Sequence, residues 1–156
     1  MLLLALSTCV SAFAQNSSPF QVQAYIVSGQ DFFQNWNKEM DKQGDKKYAS
    51  LETAKRGDDL SVAILFTGAS KDPNGFARIT FNLKMTKPDG KVISADNMRG
   101  AQGPMPDEIQ RSWYLANDKP SLKNLIDIPG DYTFEITVVD QMARENKPLT
   151  LKLKVE

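Results

Sequence analysis

The run from Gly130 to Asp140 is the feature that most constrains the fold of this chain. Apolar and polar residues alternate along it. Its apolar positions are Tyr132, Phe134, Ile136 and Val138. Because successive side chains of a strand point to opposite faces, this period of two predicts a strand with one face in a hydrophobic core. The preceding Pro129-Gly130 is turn chemistry that delivers the chain into the strand.

The last residues of the chain alternate in the same way. Their inward positions are Leu149, Leu151, Leu153 and Val155. The two runs together predict an antiparallel hairpin with a long, polar connection. Lys152 and Lys154 fall on its outward face, where lysine protects an exposed sheet edge from aggregation rather than binding nucleic acid.

Four earlier segments predict further strands; the first three alternate, and the fourth is expected to return antiparallel after a turn. They cover residues 20–26, 60–66, 79–85 and 92–95. The last two flank Lys87-Pro88-Asp89-Gly90-Lys91, in which Pro88 fixes φ and Gly90 supplies a left-handed position. The segment therefore predicts a tight hairpin turn.

One short helix is predicted between the first two of these strands. Ser28 and Asp31 have the spacing of a capping box. The apolar residues that follow gather on one side of a helix and are Phe32, Phe33, Trp36 and Met40. We expect this stripe to plug one end of a sandwich, and the alternative is an aromatic patch that faces a partner.

The motif Pro-Gly-Asp-Tyr-x-Phe-x-Ile-x-Val-x-Asp at 129–140 resembles the penultimate strand of immunoglobulin-like domains. Tyr132 occupies the place of the tyrosine corner, and Phe134 stands where antibody domains carry a cysteine. The resemblance implies an all-β fold, a single immunoglobulin-like antiparallel β-sandwich without a disulfide. Tyr132, Phe134, Ile136, Gly90 and Gly130 would be its structural residues. The whole chain also resembles small bacterial periplasmic proteins of unassigned function.

The length and composition of the chain limit its number of domains and the classes of partner that it attracts. At 156 residues with 41% hydrophobic content, the chain is long enough for one domain with a substantial core. Nineteen basic and nineteen acidic residues cancel, so no global field attracts nucleic acid.

The N-terminal stretch predicts export. Residues 1–14 form an apolar run that ends in Ala12-Phe13-Ala14, which is typical of a cleaved signal peptide. A membrane anchor is disfavoured because the run is too short to span a bilayer, and lipidation at Cys9 is disfavoured because Thr8 makes a poor lipobox. We therefore predict a signal peptide at 1–14, a disordered leader at 15–19, a sandwich domain at 20–156, and a periplasmic or secreted protein without an integral membrane span.

The segment from Asp96 to Ser121 lacks periodicity and is rich in glycine and proline. Long irregular loops on a rigid scaffold often bind partners. The candidate binding residues are Met98, Arg99, Met105, Arg111, Trp113 and Tyr114. The alternative is that Trp113 tucks into the sandwich and the loop covers a sheet edge.

Several chemistries have no residues to carry them. The chain has no histidine, which removes Ser-His-Asp and Cys-His catalysis and the usual zinc sites. No glycine-rich phosphate loop occurs. A carboxylate pair, Asp58/Asp59 or Asp107/Glu108, and a Ser-Lys pair remain open in principle. We predict no enzyme, no metal site and no cofactor.

The sequence thus predicts an exported, non-enzymatic module that binds another envelope protein, with β-augmentation at a sheet edge as one mode. One alternative is glycan binding, with Trp113 and Tyr114 as stacking platforms. A less favoured alternative is a hydrolase that depends on Asp107 and Glu108.

Overall fold

The computed structural model describes residues 19–39, 48–105 and 113–156. The predicted signal peptide and all of the leader except Pro19 lie outside these residues. The elements are β1 (Gln21–Ser28), α1 (Gly29–Glu39), β2 (Thr53–Ala54), β3 (Leu60–Thr67), β4 (Phe76–Thr86), β5 (Val92–Pro104), β6 (Tyr114–Leu115), β7 (Gly130–Asp140) and β8 (Glu145–Val155).

The strands form two sheets. One has three strands in the order β1-β3-β6, and the other has five in the order β2-β8-β7-β4-β5. All neighbours are antiparallel except β2 and β8, which are parallel. The inward residues of both sheets belong to one hydrophobic cluster. The prediction of an all-β fold with one short helix is confirmed in its secondary structure and in its two sheets.

Strand β3 is central because both of its faces are buried. Val62, Ile64 and Phe66 point into the cluster between the sheets. Ala63 and Leu65 point the other way, into a second cluster. A strand buried on both sides reads as a nearly continuous apolar run, and this run is Leu-Ser-Val-Ala-Ile-Leu-Phe.

Helix α1 covers the outer face of the three-stranded sheet. Trp36 is buried against Tyr25 of β1 and Leu65 of β3, with Phe32 and Phe33 packed beside it. The expectation that the stripe plugs one end of the sandwich is therefore wrong in position, because the side chains lie on a face. Met40 lies outside the described residues.

Both predicted hairpins are present. Gly90 has a φ of 82° in the turn between β4 and β5, and its N–H donates to the Lys87 carbonyl at 2.9 Å. Strands β7 and β8 pair with Phe134 opposite Leu151. Their connection is short rather than long, since only residues 141–144 separate the two strands.

Strand β5 differs most from the sequence expectation. An irregular loop was expected from Asp96, but β5 continues to Pro104 beside β4. The alternation is weak because the pairing shifts register at two points and Asn97 has a positive φ of 54°. A β-bulge of this kind breaks the period of two while the strand continues.

Two crossing segments close the sides of the sandwich. Residues 51–54 link β1 to β8, since Leu51 N–H donates to Ile26 and Lys154 N–H donates to the Glu52 carbonyl. Residues 116–118 link β3 to β5 through hydrogen bonds to Ile64, Gly100 and Arg99. Lys154 is thus paired with β2 instead of lying on an open edge, which corrects the sequence interpretation for that residue.

The turn before β7 has the predicted geometry of a tyrosine tether. The Tyr132 hydroxyl donates to the Ile128 carbonyl at 2.9 Å and accepts from the Ile128 N–H at 3.1 Å. Gly130 has a φ of 127°, and a Cβ built there would lie 2.7 Å from Cβ of Pro88. Both the backbone conformation and the space therefore require glycine.

Candidate functional site

The six residues predicted to bind a partner are dispersed in the described chain, and Arg111 lies outside it. Met105 is buried in the core between the sheets, with 8% of its surface exposed. Met98 is partly buried and packs against the same core. These methionines fill the sandwich and offer little surface to a partner.

The two aromatic residues of that set are half-buried. Trp113 packs against the cluster under α1. Tyr114 stacks on Phe66 with 5.6 Å between ring centroids, and burial raises the pKa of its hydroxyl. Rings engaged in this way have little free face for a sugar, so glycan binding stays a prediction without a supporting contact. The Asp107/Glu108 pair lies outside the described residues.

Arg99 is exposed and already paired. Its guanidinium contacts Asp118 Oδ1 at 3.0 Å, and its backbone N–H donates to Oδ2 at 2.7 Å. The backbone hydrogen bond, aided by the guanidinium, lowers the pKa of the Asp118 carboxyl. This pair holds the 116–118 segment on β5. Because the Arg99 guanidinium is already paired with Asp118, it is less available to bind a partner.

A different surface carries exposed apolar side chains. Four large hydrophobic residues of the described chain are clearly exposed, and two of them, Phe76 at 45% and Met142 at 38%, line one cleft of about 300 Å³. We call this surface the Phe76–Met142 patch. It is lined by Asp72, Phe76, Ala77, Arg78, Gln102, Gly103 and Met142.

Phe76 is held by the turn that precedes β4. Asp72 Oδ1 accepts the N–H groups of Asn74 and Phe76 at 2.8 and 2.9 Å. Gly75 takes a φ of 80°, and its N–H donates to the Asp72 carbonyl. An aspartate that bonds the backbone two residues on is a common way to fix a turn. The main chain at Phe76 is therefore fixed by the hydrogen bonds of this turn.

Met142 is held by a second carboxylate. Asp140 is fully buried, and its Oδ1 accepts the N–H groups of Met142 and Ala143 at 2.9 and 3.1 Å. Its Oδ2 accepts the Ser70 N–H at 2.7 Å. One carboxylate thus ties the turn after β7 to the loop after β3, and both loops border the patch.

Arg78 supplies the positive charge of the patch, and Asp72 the negative charge. It follows Phe76 by two residues on β4, so both side chains lie on the outer face of the sheet. Gln102 lies opposite Arg78 on β5. Among the described residues no carboxylate forms an ion pair with the Arg78 guanidinium, although four other cations are paired. The patch therefore combines an aromatic ring, a thioether and an uncommitted guanidinium.

Other surfaces of the described chain are less distinctive. A cleft of about 600 Å³ follows β7 and β8, and one of about 570 Å³ lies between α1 and Ser121. Neither is lined by any of the four exposed large hydrophobic residues. Within the same residues no group of acidic side chains and cysteines has the arrangement of a metal site. No helix among them is long and apolar enough to cross a bilayer.

The Phe76–Met142 patch is not among the sites predicted from the sequence, although a signal is present. The inward positions of β4 are Ile79, Phe81, Leu83 and Met85, so the period of two assigns Phe76 to the outward face. An aromatic residue at an outward position is the anomaly that could have identified it. Met142 gave no such signal, since its place beside β4 depends on the pairing of β7 with β4.

Comparison with known proteins gives little further guidance. Neither protein-family models nor curated proteins match the sequence. Among solved structures, the fold is distantly similar to a family 123 glycoside hydrolase from Clostridium perfringens, described for glycolipid glycan hydrolysis. The TM-score is 0.42 at 19% sequence identity, over 86% of this chain and 27% of that chain. The chain spans about a quarter of that enzyme's length, and a similarity this distant carries no conclusion about activity.

Proposed function

We propose that this chain is an exported, non-enzymatic immunoglobulin-like module that binds another protein of the bacterial envelope through the Phe76–Met142 patch. Two kinds of support bear on the proposal. One concerns the topology of the sheets, and the other concerns the chemistry of the patch.

The strand order supports an immunoglobulin-like topology. Such folds place a B strand between A and E in one sheet and order the other as C′-C-F-G. Here β3 lies between β1 and β6, and the second sheet runs β5-β4-β7-β8 before the short parallel β2. The tether from the Tyr132 hydroxyl to Ile128 stands at the start of β7, where that family carries its tyrosine corner.

The observation that carries the binding proposal is the convergence of Phe76 and Met142 in one cleft. Their exposed surfaces face the cleft, while the described inward residues of the sheets are buried. Neighbouring apolar side chains that stay exposed on a rigid support mark interaction surfaces. Phenylalanine, methionine and arginine are also enriched where proteins meet.

Site-specific photocrosslinking in cells tests this function. A photoreactive residue at Gln102 should capture a reproducible envelope protein, whereas one at Thr137, on the same sheet face, should not. The Phe76→Ser/Met142→Ser variant should lose the captured partner. Val92→Ser, which removes another exposed hydrophobic residue away from the cleft, is the matched control and should retain it.

Failure to capture any reproducible protein at Gln102 would argue against the proposal. Equal loss in the Val92→Ser control would also contradict it, because the effect would then be general. Cell fractionation tests the predicted compartment separately, since a cytoplasmic location of the processed chain would overturn export.

A further inference from the structure

The charge of the Phe76–Met142 patch allows a more specific inference about the ligand, and this inference rests on the proposed function. The apolar part of the cleft, formed by Phe76 and Met142, fits a large apolar side chain. The remaining question is which polar group lies beside that side chain.

The polar groups of the cleft differ in how far they are already used. Asp72 Oδ1 accepts two backbone N–H groups in its own turn. Arg78 is exposed, and no described carboxylate pairs with it. The guanidinium offers five donors in a planar fork that matches a carboxylate. The Arg78 guanidinium is therefore the charged group of the cleft that is most available to bind a carboxylate of a ligand.

A peptide suits this arrangement better than a sugar. A sugar needs several fixed donors and acceptors for its hydroxyl groups. Of the three polar side chains that line the cleft, Asp72 is engaged through Oδ1 in its own turn, which leaves Arg78 and Gln102 as the freer groups. Gly103 also leaves open space, since no atom lies within 4 Å of a Cβ built there. A ligand atom would therefore meet no obstruction beside Gly103.

We propose that the patch binds an extended peptide segment in which an acidic residue lies two positions from a large apolar residue, because side chains two apart in an extended chain share a face, as Phe76 and Arg78 do on β4. The apolar side chain packs between the Phe76 ring and the Met142 thioether, and the carboxylate pairs with the Arg78 guanidinium. Recognition of this kind is a charge-assisted contact beside an apolar anchor.

Paired synthetic peptides on an array test the ligand chemistry. Each short peptide carries Leu-Ala-Glu or Phe-Ala-Asp at its centre, and its partner peptide carries Leu-Ala-Gln or Phe-Ala-Asn there. The native protein should retain the acidic peptides about two- to fivefold better, which is the upper half of the range for one exposed ion pair. The preference should shrink in about 1 M salt, because the charges are then screened.

Variants locate the effect. Arg78→Gln should remove the preference for acidic peptides while retention of the neutral peptides stays unchanged. Arg56→Gln is the control, since it removes an exposed cation in the turn before β3, at the opposite end of that strand from the loop that borders the patch. Phe76→Ser should lower the retention of both peptide sets.

Three outcomes would overturn the inference. They are equal retention of acidic and neutral peptides by the native protein, equal loss in Arg56→Gln and Arg78→Gln, and stronger binding of an acidic polysaccharide such as polygalacturonate. In each case capture of an envelope protein at Gln102 would still support the proposed function, so the two failures are distinguishable.

Discussion

The two ends of the β4–β7 pair differ in how many of their side chains are bonded to other parts of the chain. At one end, Lys87 pairs with Asp127 and the Tyr132 hydroxyl is bonded to Ile128. At the other end, Asp140 ties two loops together, but Phe76 and the Arg78 guanidinium remain available at the surface. The first end is a closed structural cap, and the second is a rigid support for exposed groups.

The two ends therefore differ in which of their side chains stabilise the fold and which are exposed for binding. Groups at the closed end are satisfied within the chain, so their loss should lower the free energy of unfolding. The exposed groups at the open end contact little of the chain, so their loss should leave stability unchanged. Five variants test this contrast, and they are ordered by the size of the expected effect.

Phe134→Ala should have the largest effect. Phe134 is fully buried in the core that both ends share, so its removal leaves a cavity and should cost about 3–5 kcal/mol. Urea unfolding measures the change. A midpoint close to that of the native protein would mean that β7 faces the other way.

Asp140→Ala should come next, at about 2–3 kcal/mol. The three backbone N–H groups of Ser70, Met142 and Ala143 would lose their charged acceptor. Asp140→Asn keeps one acceptor oxygen and should recover part of the loss in urea unfolding. Equal midpoints for the alanine variant and the native protein would show that the carboxylate does not hold the loops.

Tyr132→Phe should cost about 1 kcal/mol, because it removes only the hydroxyl that tethers Ile128 and leaves the ring in the core. Chemical denaturation again provides the measurement. No change would indicate that the tether adds nothing to stability.

The Lys87–Asp127 pair predicts a dependence on pH. The hydrogen bond between them raises the pKa of Lys87 and lowers the pKa of Asp127. The contribution of the Asp127 carboxylate to the free energy of unfolding is complete above pH 3.8, the ordinary pKa of aspartate. It is lost as the pH falls through the lowered pKa. The contribution of the Lys87 ammonium group to the free energy of unfolding is complete below pH 10.5, the ordinary pKa of lysine. It is lost as the pH rises through the raised pKa.

Comparison of the native protein with Lys87→Met tests this dependence. The gap between their urea midpoints should be widest near neutral pH and should narrow at both extremes. A gap that is constant across the pH range would show that the variant acts through packing and not through the ion pair.

Phe76→Ala should have the smallest effect on stability, below about 0.5 kcal/mol, because the ring is an exposed side chain outside the core. It is the matched control for Phe134→Ala, since both remove the same atoms from a strand of the same sheet. A cost comparable to that of Phe134→Ala would show that the Phe76 ring supports the fold as well.

The elements with a regular period were predictable from the sequence. The alternation in β7 and β8 assigned Phe134 and Leu153 to the core, where both are buried. The Lys87–Lys91 turn was equally clear, because Pro88 and Gly90 have conformational preferences that do not depend on their surroundings. These signals are local, so one sequence is enough to read them.

The segment after Asp96 was not predictable in the same way. Its glycines, prolines and bulges removed the alternation that identifies a strand, yet residues 98, 99 and 101–104 still pair with β4. The candidate binding residues in that segment lie outside the periodic strands, where the sequence predicts exposure. Met105 is buried instead, because exposure depends on what packs against a side chain.

The sequence alone determined the inward faces of the strands, the tight turns and the lack of histidine chemistry, since each follows from neighbouring residues or from composition. Only the tertiary structure decided that helix α1 covers a face, that segments 51–54 and 116–118 close the sandwich, and that Phe76, Arg78 and Met142 share one cleft. The physical reason is that these arrangements depend on contacts between residues far apart in the chain, and no local pattern encodes which distant partner a surface meets.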